Sequence, residues 1–536
     1  MAKYLGLRGP ALTRAIIWLV VCPAFTCYGY NISVAGGLLT LPSFVKMFPS
    51  LDTINTTGSQ QSYNSTIQGK PPPPLPLRSF RPSLTLAPPP GTVVALFTVG
   101  GIFGSLSCIY LGDRLGRRRV IQLASLVAAL GVVLMASAFS LAQFVVARLV
   151  LGLGTGGYLA TVPVWQAEIS RAGKRGAHVV MDGIFVGAGI SLALWLDFGF
   201  FFVKDSSVAW RFPFAFQILF LAAVGGFVTL LPESPRWLVK RDRVEEAREI
   251  LAALSDDDPA SEAIANEVRE IQHSLSVCGA LSWKAMTTMG EQRLLHRTVL
   301  AATGQMFQQM CGINLISMYA TTIFEQYLGM NPTSSRILAA SMAMTQILGG
   351  YLAFFTIDRL GRRFLMLACA AGMGVAMAIL AGTTSAPGNT AALVVAVVCL
   401  FAFQFIYTVG YSGLTYLYAT EVAPLQLRAA ISAVATAAVW TFNFLLAEVT
   451  PIGFNTISYR YYIIFAVLNA TIIPVVYFFF PETSGRSLEE IDEIFMQSKS
   501  IWDPVKVART LPRMTTEIGV TVTSLEGADE KVEYAK

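Results

Sequence analysis

Four side-chain amides fall within ten residues of one apolar segment: Gln305, Gln308, Gln309 and Asn314. An amide both donates and accepts, so a cluster of them suits a neutral, hydroxyl-rich ligand held beside apolar walls. Gln305, Gln308 and Gln309 stand at i, i+3 and i+4, one face of a helix. Asn314 stands about 140° from Gln309 on an ideal helix. For both to face one cavity the helix must unwind, and Gly312 is where that is easiest. The competing assignment is hydrogen bonding between membrane helices. Four amides in so short a run exceed what packing requires.

A second set of residues is charged and repeated. Gly112-Asp113-Arg114-Leu115-Gly116-Arg117-Arg118 returns as Ile357-Asp358-Arg359-Leu360-Gly361-Arg362-Arg363, with the aspartates 245 residues apart. Glu168 precedes Arg175 by seven residues, and Glu421 precedes Arg428 by seven, an offset of 253. Pro232-Glu233-Ser234 is echoed by Pro481-Glu482-Thr483, an offset of 249. Three echoes near half the chain length indicate an internal duplication. Charged turns between apolar spans in parallel halves are expected of a secondary transporter. Asp113, Arg117, Glu168 and Arg175, with Asp358, Arg362, Glu421 and Arg428, are expected to bridge one face of the molecule. Such bridges would hold that face closed and break as the halves rock. The plainer alternative gives these residues only a topological role.

The elements that must carry these residues are membrane helices. The 536-residue chain is 54% hydrophobic and 13% charged, with a mean hydropathy of +0.57, against about 25% charged for a soluble domain. Lipid must therefore cover much of the surface. The net charge of +6 is scattered over short loops, which argues against a nucleic-acid partner. The seven cysteines lack paired spacing and read as small core residues. His178, His273 and His296 lack metal-ligand spacing, and no nucleophile–base pair is apparent. No metal, cofactor or enzymatic activity is expected. Gly152-Leu153-Gly154-Thr155-Gly156-Gly157 matches the dinucleotide pattern but lies inside an apolar span, where close helix packing explains it.

Twelve segments are long enough to span: 14–35, 92–111, 120–139, 142–164, 177–200, 212–231, 299–323, 336–357, 364–384, 391–418, 429–450 and 461–480. The expected fold is all-α, two six-helix pseudo-symmetric halves. Residues 1–231 form the first half, 232–298 a helical linker, 299–495 the second half and 496–536 a disordered tail. Turns after segments 2, 4, 8 and 10 carry eleven Lys and Arg, against four after segments 3, 5, 7, 9 and 11. The linker and both termini are therefore expected in the cytoplasm of a multi-pass protein, the plasma membrane being the expected site. The loop after segment 1 then faces outward and holds the sequons at Asn55 and Asn64. Residues 70–90 contain nine prolines. They read either as an extended outer loop or as a translated intron, since deleting 21 residues keeps the frame.

The chain resembles the sugar porter family of the major facilitator superfamily over about residues 11–495, most closely fungal hexose and lactose permeases. The resemblance rests on Gly112-Asp113-Arg114 with Gly116-Arg117-Arg118 and its repeat (the two Asp-Arg-Leu-Gly-Arg turns), Arg148, Glu168 and Arg175, Pro232-Glu233-Ser234-Pro235-Arg236-Trp237-Leu238, Gln308-Gln309-Met310-Cys311-Gly312-Ile313-Asn314, and Pro481 to Ile491. It implies the major facilitator fold and alternating-access transport of a sugar across a lipid bilayer. It adds Gln346, Tyr416, Trp440 and Asn443 as sugar contacts. Tyr416 stands where many relatives carry tryptophan, Gly413 and Thr415 replace prolines, and Gly183 replaces a glutamine. In proton-coupled relatives an acid at the position of Asn31 pairs with the arginine at Arg148. Asn31 cannot titrate, and facilitative relatives share the asparagine. Asp182 is the candidate replacement carrier, or else a fixed partner of a base such as Arg148. Uniport and proton symport both stay open. A membrane sugar sensor on the same scaffold is the alternative function.

Overall fold

The computed structural model describes residues 4–38, 41–49, 92–170, 175–203, 206–278, 283–327, 329–385 and 389–512. Residues 70–90 and the sequons at Asn55 and Asn64 lie outside them. The described chain is helical. In the first half α1 runs through Gly9–Ile16, a π turn Ile17–Val21 and Cys22–Leu38. It is followed by α2 (Thr92–Leu115), α3 (Arg117–Ala136), α4 (Leu141–Ile169), α5 (Arg175–Phe200) and α6 (Val208–Phe227). The linker folds as α7 (Pro235–Lys240), α8 (Val244–Ser255) and α9 (Glu262–Cys278). The second half comprises α10 (Leu294–Met310 with Ile313–Thr322), α11 (Pro332–Leu360), α12 (Arg362–Thr384), α13 (Thr390–Tyr407, a π turn Thr408–Ser412, Leu414–Val422), α14 (Arg428–Ile457) and α15 (Arg460–Phe479).

Among the described residues, eleven helices are long and apolar enough to cross a membrane. The twelfth expected span is α10, which breaks at Cys311–Gly312. Gly312 has φ +108°, the left-handed region that glycine tolerates best. A Cβ there would also meet Phe465 at 3.1 Å.

Buried apolar residues form two large clusters that follow the duplication. One runs from Leu12 to Ile271, with Tyr416, Leu425, Val439 and Trp440 contributed by the second half. The other runs from Met286 to Phe495, with Ala167, Val179 and Val180 contributed by the first. Large apolar side chains such as Phe103, Leu126, Leu348, Phe355 and Val467 are left exposed, as lipid-facing positions require. In α4, Gly152 and Gly156 lie on the α2 backbone at Phe97 and Gly101, and Gly154 lies on α3 at Ala124 and Ala128. Any side chain would push these helices apart. The glycine run serves packing.

The linker is amphipathic and docked. Ile250, Leu251 and Leu254 of α8, with Ile264, Val268 and Ile271 of α9, enter the first cluster. Arg8 at the start of α1 donates to Ala252 O at 3.1 Å and Asp257 O at 2.8 Å, which ties α1 to the end of α8. The tail departs from expectation. Disorder was expected from 496, but α16 (Leu488–Gln497) is followed by α17 (Pro504–Thr510). Buried Arg486 donates to Ala508 O at 3.0 Å and Leu511 O at 2.7 Å, which ties this stretch down. Residues 513–536 lie outside the described ones.

Candidate functional site

The broken helix α10 and the π turn of α13 face each other, and the break in each creates the polar lining. A π turn leaves backbone carbonyls without their usual partners. Gln308 Nε2 donates to two of them, Ser412 O at 2.8 Å and Tyr411 O at 3.3 Å. Gln308 Oε1 accepts from Gln309 Nε2 at 3.0 Å, and Gln309 Oε1 from Asn314 Nδ2 at 2.5 Å. Unwinding at Gly312 thus brings Asn314 onto the Gln309 amide. Gln346 of α11 bonds Gln404 of α13, whose Nε2 donates to Ser317 at 2.9 Å. Gln308, Gln309, Asn314, Gln346 and Tyr416 line one central cavity with Tyr28, Tyr407 and Ser412. The cavity measures about 30 Å³, room for two or three waters at about 10–15 Å³ each. It must widen to admit a hexose.

Three expected contacts sit elsewhere. Gln305 lies one turn from Gln308 and accepts from Thr415 at 3.2 Å. Trp440 is fully buried and packs edge-on against Tyr28 (5.5 Å between centroids) and Phe97 (5.3 Å). It therefore backs the cavity wall, seated over Gly101, where any Cβ would strike its ring. Asn443 lines a smaller neighbouring cavity with Asn31, Thr98, Phe97 and Arg148, and Ile32 borders both cavities. Gly183 approaches Ser412 and Gly413, each 3.0 Å from a built Cβ, so the glutamine carried by relatives has no room here.

The coupling candidates separate. Asn31 and Arg148 share the smaller cavity, where Asn31 donates to Cys27 O at 3.0 Å and the Arg148 guanidinium lies 5.1 Å from the Phe97 ring centre. Asp182 lies beside Gln166 and Tyr416, fully buried, with neither carboxyl oxygen in a hydrogen bond of ordinary geometry. Gln166 follows Arg148 by 18 residues on the same helix, about 27 Å at 1.5 Å per residue. Asp182 is therefore not the partner of Arg148.

At the end bearing the Asp-Arg-Leu-Gly-Arg turns, the two halves repeat one another atom for atom. Arg117 forks onto Glu168 at 2.9 and 3.0 Å and reaches Asp113 at 3.3 Å. Arg362 forks onto Glu421 at 3.1 and 3.4 Å and reaches Asp358 at 2.9 Å. Both forks are buried. Each is braced by the third repeated motif: Ser234 on Glu168, and Thr483 on Glu421 at 2.6 Å. The glutamates of that motif cap helices. Glu233 accepts from Arg117 N at 3.1 Å and Arg118 N at 3.2 Å, and Glu482 from Arg362 N at 2.9 Å and Arg363 N at 3.0 Å. Carboxylates at helix N-termini meet free N–H groups and a favourable dipole. Burial nonetheless pushes the Glu233 carboxyl up, with the Ser234 amide and Arg117 pulling it back. Gly116 and Gly361, both at φ +87°, turn the chain beneath these caps.

Among the described residues, the following contacts join the halves at this end. Arg428 Nη1 lies 3.8 Å from Glu168, Ala177 N donates to Asp358 at 3.1 Å, and Lys240 bridges Asp113 and Gln426 O at 2.7 Å each. The Arg175 side chain lies outside the described ones. Sequence reasoning missed Tyr28, Tyr407, Ser317 and Gln404. Gln404, an amide inside an apolar span, was the one legible signal. It saw Glu233 and Glu482 as repeats without giving them a task.

Two helical halves around an amide-lined cavity, with arginine–carboxylate networks repeated in each, define a membrane transporter of the major facilitator fold. The chain belongs to the sugar (and other) transporter family, whose model matches residues 17–495. It is 32% identical to sugar transporter STL1 of Saccharomyces cerevisiae, over 98% of this chain and 89% of that protein. It is 36% identical to the MFS-type transporter oryC of Aspergillus oryzae, over 79% and 80%. A high-affinity glucose transporter of Kluyveromyces lactis is 29% identical over 80% and 81%. In fold it matches the proton:xylose symporter XylE of E. coli bound to 6-bromo-6-deoxy-D-glucose, with a TM-score of 0.74 at 22% identity over 90% and 99% of the chains.

Proposed function

We propose that this chain carries a neutral sugar or related polyol across the plasma membrane by alternating access. The observation that carries the reading is the relay Ser412–Gln308–Gln309–Asn314, which offers amide donors and acceptors and no charge at the meeting of two broken helices. The relatives that include a sugar transporter and a glucose transporter support the substrate class. Gln308, Gln309, Asn314, Gln346 and Tyr416 touch the sugar, while Trp440 positions Tyr28. The Arg117–Glu168 and Arg362–Glu421 forks with Arg428 form the gate, which lies on the cytoplasmic side with both termini by the distribution of Lys and Arg. Uptake of a labelled sugar panel into cells without transporters of their own tests this. Saturable uptake that falls at least about tenfold in Gln309→Ala is expected, the loss of a buried hydrogen-bonding group. Full uptake in that variant overturns the site.

Asn31 in the position of the family's acid supports proton-independent exchange. One observation favours a second reading: the buried Asp182 carboxyl, beside Gln166 and beside Tyr416 of the cavity wall, supports proton symport through Asp182. Sugar-induced alkalinisation of an unbuffered suspension that disappears in Asp182→Asn selects symport. Absence of alkalinisation selects uniport.

A further inference from the structure

At the end opposite the Asp-Arg-Leu-Gly-Arg turns, the halves meet where α5 lies along α11. Asp197 stands one turn before the end of α5 and is 3% exposed, with no hydrogen bond at either carboxyl oxygen. Arg336, in the first turns of α11, reaches over from the other half. Its guanidinium lies 4.4 Å above the Phe201 ring centre, and Phe201 N donates to Asp197 O at 2.9 Å. The cation thus packs on the residue one turn beyond Asp197 and faces its carboxyl electrostatically. Two other groups look into the site. Tyr30 of α1 faces Asp197 with its hydroxyl committed to Pro213 O at 2.8 Å. Glu325, from the same half as Arg336, faces the guanidinium.

We propose that Asp197 and Arg336 are the charge pair that closes this second end of the transporter, the counterpart of Glu168 and Arg428 at the first. A buried carboxylate without donors is unstable unless a cation or water reaches it. Arg336 belongs to the opposite half, so the relief it gives depends on how closely α5 and α11 approach. Rocking the halves apart replaces Arg336 by water. Rocking them together completes the ion pair. The carboxylate thereby makes the balance between open and closed mouths depend on one cation across the interface. This rests on the alternating-access reading, yet its test needs no substrate.

Ile190 of α5 borders the central cavity, so a cysteine there reports access. Ile190→Cys protein in sealed vesicles is treated with a membrane-impermeant maleimide on each face separately, the unsubstituted protein giving the background from native cysteines. Asp197→Asn and Arg336→Gln are each expected to raise labelling from the face opposite the Asp-Arg-Leu-Gly-Arg turns about fivefold or more, the low end of coupling between two states. The exchange Asp197→Arg with Arg336→Asp is expected to return labelling to within about twofold of the parent. Asp197→Glu keeps the charge and is expected to stay near the parent rate, which checks folding. Unchanged labelling in both neutral variants overturns the pair. So does a rise that the exchange fails to reverse, since that reports packing. If no sugar is carried but labelling responds, the substrate reading fails and the charge pair stands.

Discussion

Arg428→Gln isolates the contact between halves at the end bearing the Asp-Arg-Leu-Gly-Arg turns. Arg428 and Glu168 are 3.8 Å apart with side chains 1% and 0% exposed. At an effective dielectric of about 20, that separation corresponds to roughly 4 kcal/mol of attraction before desolvation is subtracted. Arg428 also donates to Thr420 O at 3.2 Å and Ala423 O at 3.4 Å. Those acceptors lie in its own half, so their loss affects both conformations alike. Desolvation recovered on opening offsets part of the attraction and leaves about 1–3 kcal/mol, a 5- to 150-fold shift towards the open form. Spin labels at exposed Arg119 and Arg359, one on each half, report the separation by pulsed dipolar spectroscopy. The long-distance population is expected to grow at least about fivefold, with slower sugar turnover in the same protein. Arg428→Lys, which keeps a point charge, is expected to lie between. An unchanged distance distribution and unchanged turnover would refute the gate.

Other substitutions probe the elements that shape the cavity. Gly312→Ala forces a Cβ into the left-handed region, at about 1–2 kcal/mol, and against Phe465. A lower thermal midpoint and weaker sugar binding are expected, and wild-type values for both would show that the break is not needed. Gly183→Gln restores the family's residue but drives a side chain into Ser412 and Gly413. Transport should be lost, not improved, in a direct uptake assay. His296 is 7% exposed at the first turn of α10, outside the expected span, and its burial, with Arg293 and Arg297 nearby, lowers its pKa to about 4. Unfolded histidine titrates near 6.5, so between pH 6.5 and about 4 the unfolded chain takes a proton that the folded one refuses. Stability should fall as pH drops through that window. Melting scans from pH 7.5 to 4.5 should show a slope that His296→Gln reduces, and an equal slope in both proteins would remove this role.

The sequence carried the duplication plainly, because each Asp-Arg-Leu-Gly-Arg turn needs a glycine at φ +87° and an arginine able to reach a buried glutamate. It carried the unwinding at Gly312 because two amides 140° apart cannot otherwise share a cavity. Trp440, which the family resemblance offered as a sugar contact, packs behind Tyr28, a depth that resemblance at one position does not specify. Glu233 and Glu482 cap helices that begin more than a hundred residues earlier, a contact that no local pattern encodes. The separation of Asp182 from Arg148 was legible after all. Counting rises along two antiparallel spans puts them near opposite ends.

The central claim is that the amide relay between α10 and α13 binds sugar and is exposed to each side of the bilayer in turn. Counterflow in proteoliposomes containing only this protein and preloaded with unlabelled sugar tests it most directly. A transient overshoot of labelled sugar, abolished in Gln309→Ala with the protein still folded, is the predicted result. An overshoot of equal height in that variant, or none with any hexose, pentose, disaccharide or polyol in the intact protein, would contradict it.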